Sequence, residues 1–231
     1  MTRFFKALLI AICLNAAAYS VQAQTETDFV TVPSYDMLVR LAIEQRPKRF
    51  EFSNLRMYYP GTPQYDPVGE KTRKKVVALA YTIDNDPDPV KRKKAFDEYG
   101  ELIAAHLANI DVISQALVLS RQDKLYGDPK FFEWVRNGLL RAMVNTGTGA
   151  DLTLAYNVIT LGEEPFLMNV LRLQVLKTET AEEGGIYYNM HQVKDPKYPE
   201  PYWMFVDVSQ PVRFLQKQDV EKVNTFSIRH E

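Results

Sequence analysis

The chain has 231 residues, 46% of them hydrophobic and 12% aromatic, with 28 basic against 29 acidic side chains. Such values describe a globular protein with an ordinary apolar core, and the near-neutral balance argues against nucleic-acid binding and polybasic membrane docking. The one cysteine, Cys13, falls in the N-terminal segment, which bounds the redox chemistry open to the rest.

That segment reads as a targeting signal. Arg3 and Lys6 precede an apolar run from Ala7 to Ala18 broken only by Asn15, and Val21-Gln22-Ala23 has the small-x-small form that signal peptidase accepts. An exported protein is therefore expected, periplasmic or secreted, with a signal peptide over 1–23 cleaved after Ala23. The run falls short of the roughly 18 to 20 apolar residues of a membrane span. Ile12 stands before Cys13 where a lipoprotein needs a small residue. Cleavage removes the only cysteine, so the mature chain is expected to lack disulfides, a thiol nucleophile and cysteine ligands for a metal. It leaves 26 basic against 29 acidic residues.

Residues 24–33 read as a flexible lead-in. Ser34 is a plausible N-cap for a first helix with Met37, Leu38, Leu41 and Ala42 inward, stopped at Arg46-Pro47. Phe50, Phe52, Leu55 and Tyr59 suit a short helix, followed by an ordered loop holding Pro60, Gly61, Pro63 and Pro67. Lys71 to Ile83 predicts a second main helix, with Val76, Val77, Ala80 and Ile83 inward. Asp88 and Pro89 have the cap and first-turn chemistry of a third, which carries Ala95, Tyr99, Leu102, Ile103 and His106 on one side. A fourth is expected from about Asp111 to Leu125, with Ile113, Leu117 and Val118 inward, and a fifth from Pro129 to Val144. Phe96, Gly100 and Leu102 recur as Trp134, Gly138 and Leu140 at a period of 38, an echo of a tetratricopeptide helix pattern.

After Val144 the periodicity changes. LTLAYNVI, LRLQVLKTET, GIYYNMHQV and PYWMFVDVS read as strands, with a hairpin turn at Glu182–Gly185 and a short helix from Pro165 to Val170. Helices first and an antiparallel sheet of about four strands behind them predict an α+β fold: a helical part over 34–146, a β-rich part over 147–215 of the same compact unit, and a charged tail over 216–231.

The motifs with chemical potential mostly fail on spacing. Gly147-Thr148-Gly149 is followed by Ala150 and Asp151, with no lysine to reach a phosphate, so it reads as a helix stop and a turn into the sheet. Asp84, Asp86 and Asp88 alternate like the start of a calcium loop, but Pro89 and Ala95 occupy its glycine and glutamate positions. His106, His191 and His230 have no metal-ligand spacing, and no serine sits in a Gly-x-Ser-x-Gly setting. No cofactor or metal is expected. Glu163 and Glu164 are adjacent and must diverge, which suits the first turn of a short helix better than a shared site. Glu163, Asp207, Asp151 and His106 are the carboxylate and histidine candidates for catalysis. Tyr58, Tyr59 and Tyr65 in one proline-rich loop, with Tyr198 and Trp203 about another, are candidates for protein or glycan recognition. Strand alternation sets Tyr202 and Trp203 on opposite faces, so one of the two is expected in the core.

Three blocks also resemble the bacterial domain-of-unknown-function family 4919. Leu55, Tyr58, Tyr59, Tyr65 and Pro67 match its tyrosine-rich block. Gly147, Gly149, Ala155, Tyr156, Val158, Ile159, Glu163 and Glu164 match its central signature, and Phe205, Asp207 and Val208 its closing strand. The likeness covers about Phe50 to Leu215, and Pro165 departs from it where an aromatic is expected. It implies a helical-repeat-like front, a sheet at the back and export, and no chemistry. The reading of the whole is a non-enzymatic protein-binding or assembly module of the cell envelope, its partner an envelope protein or a glycan. The alternative is an envelope hydrolase with carboxylates near the sheet edge.

Overall fold

The structure is a computed structural model that describes residues 33–228, with side chains over 33–219. The expected signal peptide and cleavage site, most of the expected lead-in and His230 lie outside the described residues.

Local capping chemistry sets the helix starts. Ser34 accepts a hydrogen bond from the Met37 amide and opens α1 (Tyr35–Gln45), which ends where Arg46 turns left-handed at φ 43° ahead of Pro47. Helix α2 (Phe52–Tyr58) runs into a single 3-10 turn at Tyr59–Gly61. Helix α3 spans Glu70–Asn85. Asp88 and Asp128 each cap a helix whose first residue is proline, α4 (Pro89–Ala105) and α6 (Pro129–Val144), and Asn109 caps α5 (Ile110–Gln122). The inward faces hold Leu38, Ala42, Val76, Leu79, Tyr99, Ile103, Ile113, Leu117, Val135 and Leu139. Met37, Val77 and Val118 were expected inward but lie exposed, because each stripe rotates by about one residue to meet its neighbour.

Helices α3 and α4 form one hairpin and α5 and α6 another. The two echoed glycines do different work. At Gly138 an added Cβ would overlap the Phe52 ring, so α2 lies directly against α6, whereas nothing lies within 4 Å of that position at Gly100.

Strands β1 (Tyr156–Asn157), β2 (Gln174–Glu183), β3 (Ile186–Lys194) and β4 (Tyr202–Asp207) form a sheet in the order β1-β4-β3-β2. The fold is α+β, with the sheet mixed rather than antiparallel: β1 runs parallel to β4, and the other two pairs are antiparallel. LTLAYNVI supplies only two residues of strand, because Asp151 holds a turn through the amides of Thr153 and Leu154, and the Leu154 carbonyl accepts from Thr148 and Gly149. Gly184 and Gly185, both at positive φ, close the β2–β3 hairpin, leaving β2 at the sheet edge.

Helix α7 (Glu163–Leu171) crosses one face of the sheet. It buries Leu167 and Met168 with Met143, Tyr156, Val193, Met204 and Val206 in a second core beside the helical one. Much of the charged tail expected over 216–231 belongs to helix α8 (Ser209–Ile228), which begins where Asp207 accepts from the Ser209 amide, and Phe214 lays its ring edge-on against Tyr65. No helix among the described residues is long and apolar enough to cross a membrane.

Candidate functional site

Glu163 and Glu164 open α7 and diverge to opposite sides of it. Glu163, 1% exposed, takes Arg56 of α2 in a two-point pair, Nε to Oε1 at 3.2 Å and Nη2 to Oε2 at 2.8 Å. The same guanidinium donates to the Asn157 carbonyl at 3.0 Å, and Glu163 also accepts the Ile159 amide at 2.7 Å. Glu163 is thus committed to joining the helical part to the sheet, with no oxygen facing a substrate.

Glu164 points the other way, toward β3. Its two oxygens accept from Asn189 Nδ2 at 2.8 and 3.0 Å, and Oε2 also meets His191 Nε2 at 2.8 Å. The other ring nitrogen, Nδ1, lies 2.9 Å from the Thr178 hydroxyl on β2, where Thr178 and His191 are paired in register. All of Glu164's partners are donors, so His191 presents Nε2–H to it; in the neutral ring Nδ1 is then an acceptor and Thr178 the donor. Glu164 and His191 are 8% and 6% exposed, while Thr178 is open to solvent. These groups line a groove of about 720 Å³ between α7 and the β2–β3 hairpin, walled by Leu161, Pro165, Met168, Leu173 and Val175. Apolar walls with a few convergent polar groups are the usual composition of a ligand site.

The other sequence candidates scatter. Asp151 is an exposed turn residue held below the usual carboxylate range by the Thr153 hydroxyl and nearby amides. Asp207 accepts from Asn157 Nδ2 at 3.4 Å and from the Ser209 amide at 2.8 Å, a structural role at the end of β4. Neither of them, nor Glu163, lines the α7 groove. His106 is buried at the end of α4, where its Nδ1 meets the Tyr59 hydroxyl at 2.7 Å and burial holds its pKa below the ordinary histidine value.

The aromatic candidates are redistributed too. Tyr59 and Tyr65 are 0% and 5% exposed and cannot offer a face to a partner: Tyr65 donates to the Ile159 carbonyl, and burial pushes the Tyr59 hydroxyl up to about 12. Tyr58 and Trp203 are half-buried. Tyr198 is exposed and packs edge-on against Tyr202 at 6.1 Å. Neither Tyr202 nor Trp203 is core: Trp203 lies on the face opposite Met204 and Val206, and Tyr202, on their face but at the first position of β4, is 38% exposed.

Asp111, in the first turn of α5, carries a further constraint. Its Oδ2 is wedged against Gly69 and Gly162, where an added Cβ on either glycine would collide with it, and it has no hydrogen-bond partner among the described residues. Burial, with Glu163 and Asp66 adding repulsion against the relief from Arg73, pushes Asp111 up to about 6.

Arg56, Asn189, Thr178 and His191 were not singled out by the sequence as partners of the glutamate pair. The available signal was the period-two placement of Asn189 and His191, which marks one strand face carrying two polar groups that needed partners. No group of three or more His, Cys, Asp or Glu side chains among the described residues could hold a metal ion. Compared with known proteins, the chain matches no family model, no curated protein and no solved structure.

Proposed function

We propose that the protein is an exported binding module that takes up an extended, basic segment of a partner protein as an added strand along β2. The observation that carries this is β2 itself: a ten-residue edge strand, mostly exposed on both faces, with Val175 and Leu176 at 40% and 46% exposure. Proteins ordinarily shorten or cover such an edge, because its free N–H and C=O groups template another strand. Strand addition draws affinity from those groups and specificity from alternate side chains. Glu179, Glu182 and Glu183 outnumber Lys177 along β2, which favours a positively charged partner. The α7 groove on the same side accommodates an apolar side chain of that segment.

Export rests on the n-region, apolar run and cleavage motif of residues 1–23. Membership of family 4919 is part of the same proposal. What supports it is the sequence likeness of the three blocks alone, at Leu55 to Pro67, Gly147 to Glu164 and Phe205 to Val208.

The test is fluorescence anisotropy with labelled ten-residue peptides that alternate Val or Thr with Lys. The basic peptide is expected to bind, more weakly at high salt and after Glu182→Lys with Glu183→Lys. Equal binding of the same peptide interrupted by central prolines, which cannot pair as a strand, would sink the proposal.

A further inference from the structure

The strand-capture reading makes no use of the hydrogen-bonded chain from Thr178 through His191 to Glu164. An exposed hydroxyl, a buried imidazole bridging it, and a buried carboxylate on the far ring nitrogen are the parts of an activated nucleophile, its base and the group that orients the base. Sequence spacing conceals them, since the three come from α7, β2 and β3. Glu164 is held in turn by Asn189 through both oxygens, so the carboxylate has one orientation. Thr178 stands at the mouth of the groove whose apolar wall is Leu161, Pro165, Met168, Leu173 and Val175.

We propose that this chain is an acyl-transfer site acting on esters of apolar carboxylic acids. Thr178 Oγ1 attacks the ester carbonyl while His191 Nδ1 takes the hydroxyl proton. The Oγ1–acyl bond forms, the bond to the alcohol oxygen breaks, and the alcohol leaves with the proton from His191. Water then attacks the acyl-threonine as it gives a proton to His191, the Oγ1–acyl bond breaks to release the acid, and His191 passes that proton to Thr178 Oγ1. Glu164 does not touch the substrate; it keeps Nε2–H bonded so that Nδ1 stays free to accept, and Asn189 positions Glu164. The apolar wall takes the acyl chain.

The experiment is intact-mass spectrometry of the protein after incubation with an alkyl fluorophosphonate, followed by peptide mapping, alongside hydrolysis of p-nitrophenyl butyrate. With the phosphonate an Oγ1–P bond forms, fluoride leaves and His191 takes the proton. One adduct on Thr178 is expected, retained in Thr178→Ser and lost in Thr178→Val, a variant of equal size at an exposed position. His191→Gln, checked for folding by circular dichroism, is expected to slow labelling by about 10² to 10⁴-fold. No adduct on Thr178 in the wild type, an adduct persisting in Thr178→Val, or wild-type labelling in folded His191→Gln would each overturn the assignment. Peptide anisotropy on the unlabelled wild type judges strand capture separately: peptide binding with no adduct sinks only the acyl-transfer site, and an adduct with no peptide binding upholds it while sinking strand capture.

Discussion

Arg56 and Glu163 are 107 residues apart in the chain and meet as a two-point ion pair with 3% and 1% of their side chains exposed. Removing either partner leaves the other charge buried and unpaired, which is far costlier than the pair is stabilising. Arg56→Met and Glu163→Gln are each expected to lower stability by about 3–5 kcal/mol. The double variant should lose much less than the sum, because no charge is stranded and the carboxamide replacing the Glu163 carboxylate can still accept the Ile159 amide. Urea midpoints of the four proteins measure this, and additive losses would show that the two side chains are not coupled.

Asp111 and His106 make opposed contributions to stability as pH changes. Asp111 titrates at about 6 in the folded chain against 3.8 ordinarily, so the folded state holds its proton more tightly and loses stability as pH rises from about 4 to about 6. His106 has a folded pKa below 6.5, so its contribution is present above that value and is lost as pH falls below it. Asp111→Asn is therefore expected to gain on the wild type across the pH 4 to 6 interval, on the order of 1–3 kcal/mol after allowing for partial exposure. Thermal melts of both proteins between pH 4 and 8 check it, and parallel curves would refute it.

Gly138→Ala and Gly100→Ala should differ in sign. The first drives a methyl into the Phe52 ring and is expected to cost about 1–3 kcal/mol. The second adds a methyl to open space inside α4 and should stabilise by roughly 0.5–1 kcal/mol. Chemical denaturation of the two variants decides, and equal effects would mean that the helices approach equally at both sites.

Tyr59→Phe tests whether that hydroxyl is structural. It would leave His106 Nδ1 and the Asp66 amide without their present partner, at about 1–3 kcal/mol for each group left unsatisfied. A stability unchanged from wild type would show that the hydroxyl's hydrogen bonds contribute nothing net to the fold.

Local chemistry was legible in the sequence; pairings across the fold were not. Ser34, Asp88-Pro89 and the Gly184-Gly185 turn act through neighbours within four residues, and two helices and the hairpin followed from them. The divergence of Glu163 and Glu164 was readable for the same reason. Their partners were not, because Arg56 and His191 are chosen by packing over separations of 107 and 27 residues. Helix α8 was readable in principle: Asp207, Ser209 and Pro211 are start signals, overridden in the reading by the β-rich run before them. Tyr59 and Tyr65 looked like loop aromatics because prolines surround them, yet the loop folds inward and its hydroxyls find carbonyl and imidazole partners.

The ion pair also bears on the order in which the chain can mature. A nascent polypeptide emerging from its N-terminus presents α2 long before Glu163 exists, so the Arg56 guanidinium must wait in water, and the Tyr65 hydroxyl likewise waits for Ile159. The helical hairpins can form early from neighbouring contacts, but α2 cannot seat against them at full strength until α7 arrives. A product truncated at Val144 would carry a stranded cation in a half-built interior, which marks it for proteolysis rather than for use as a free-standing helical fragment.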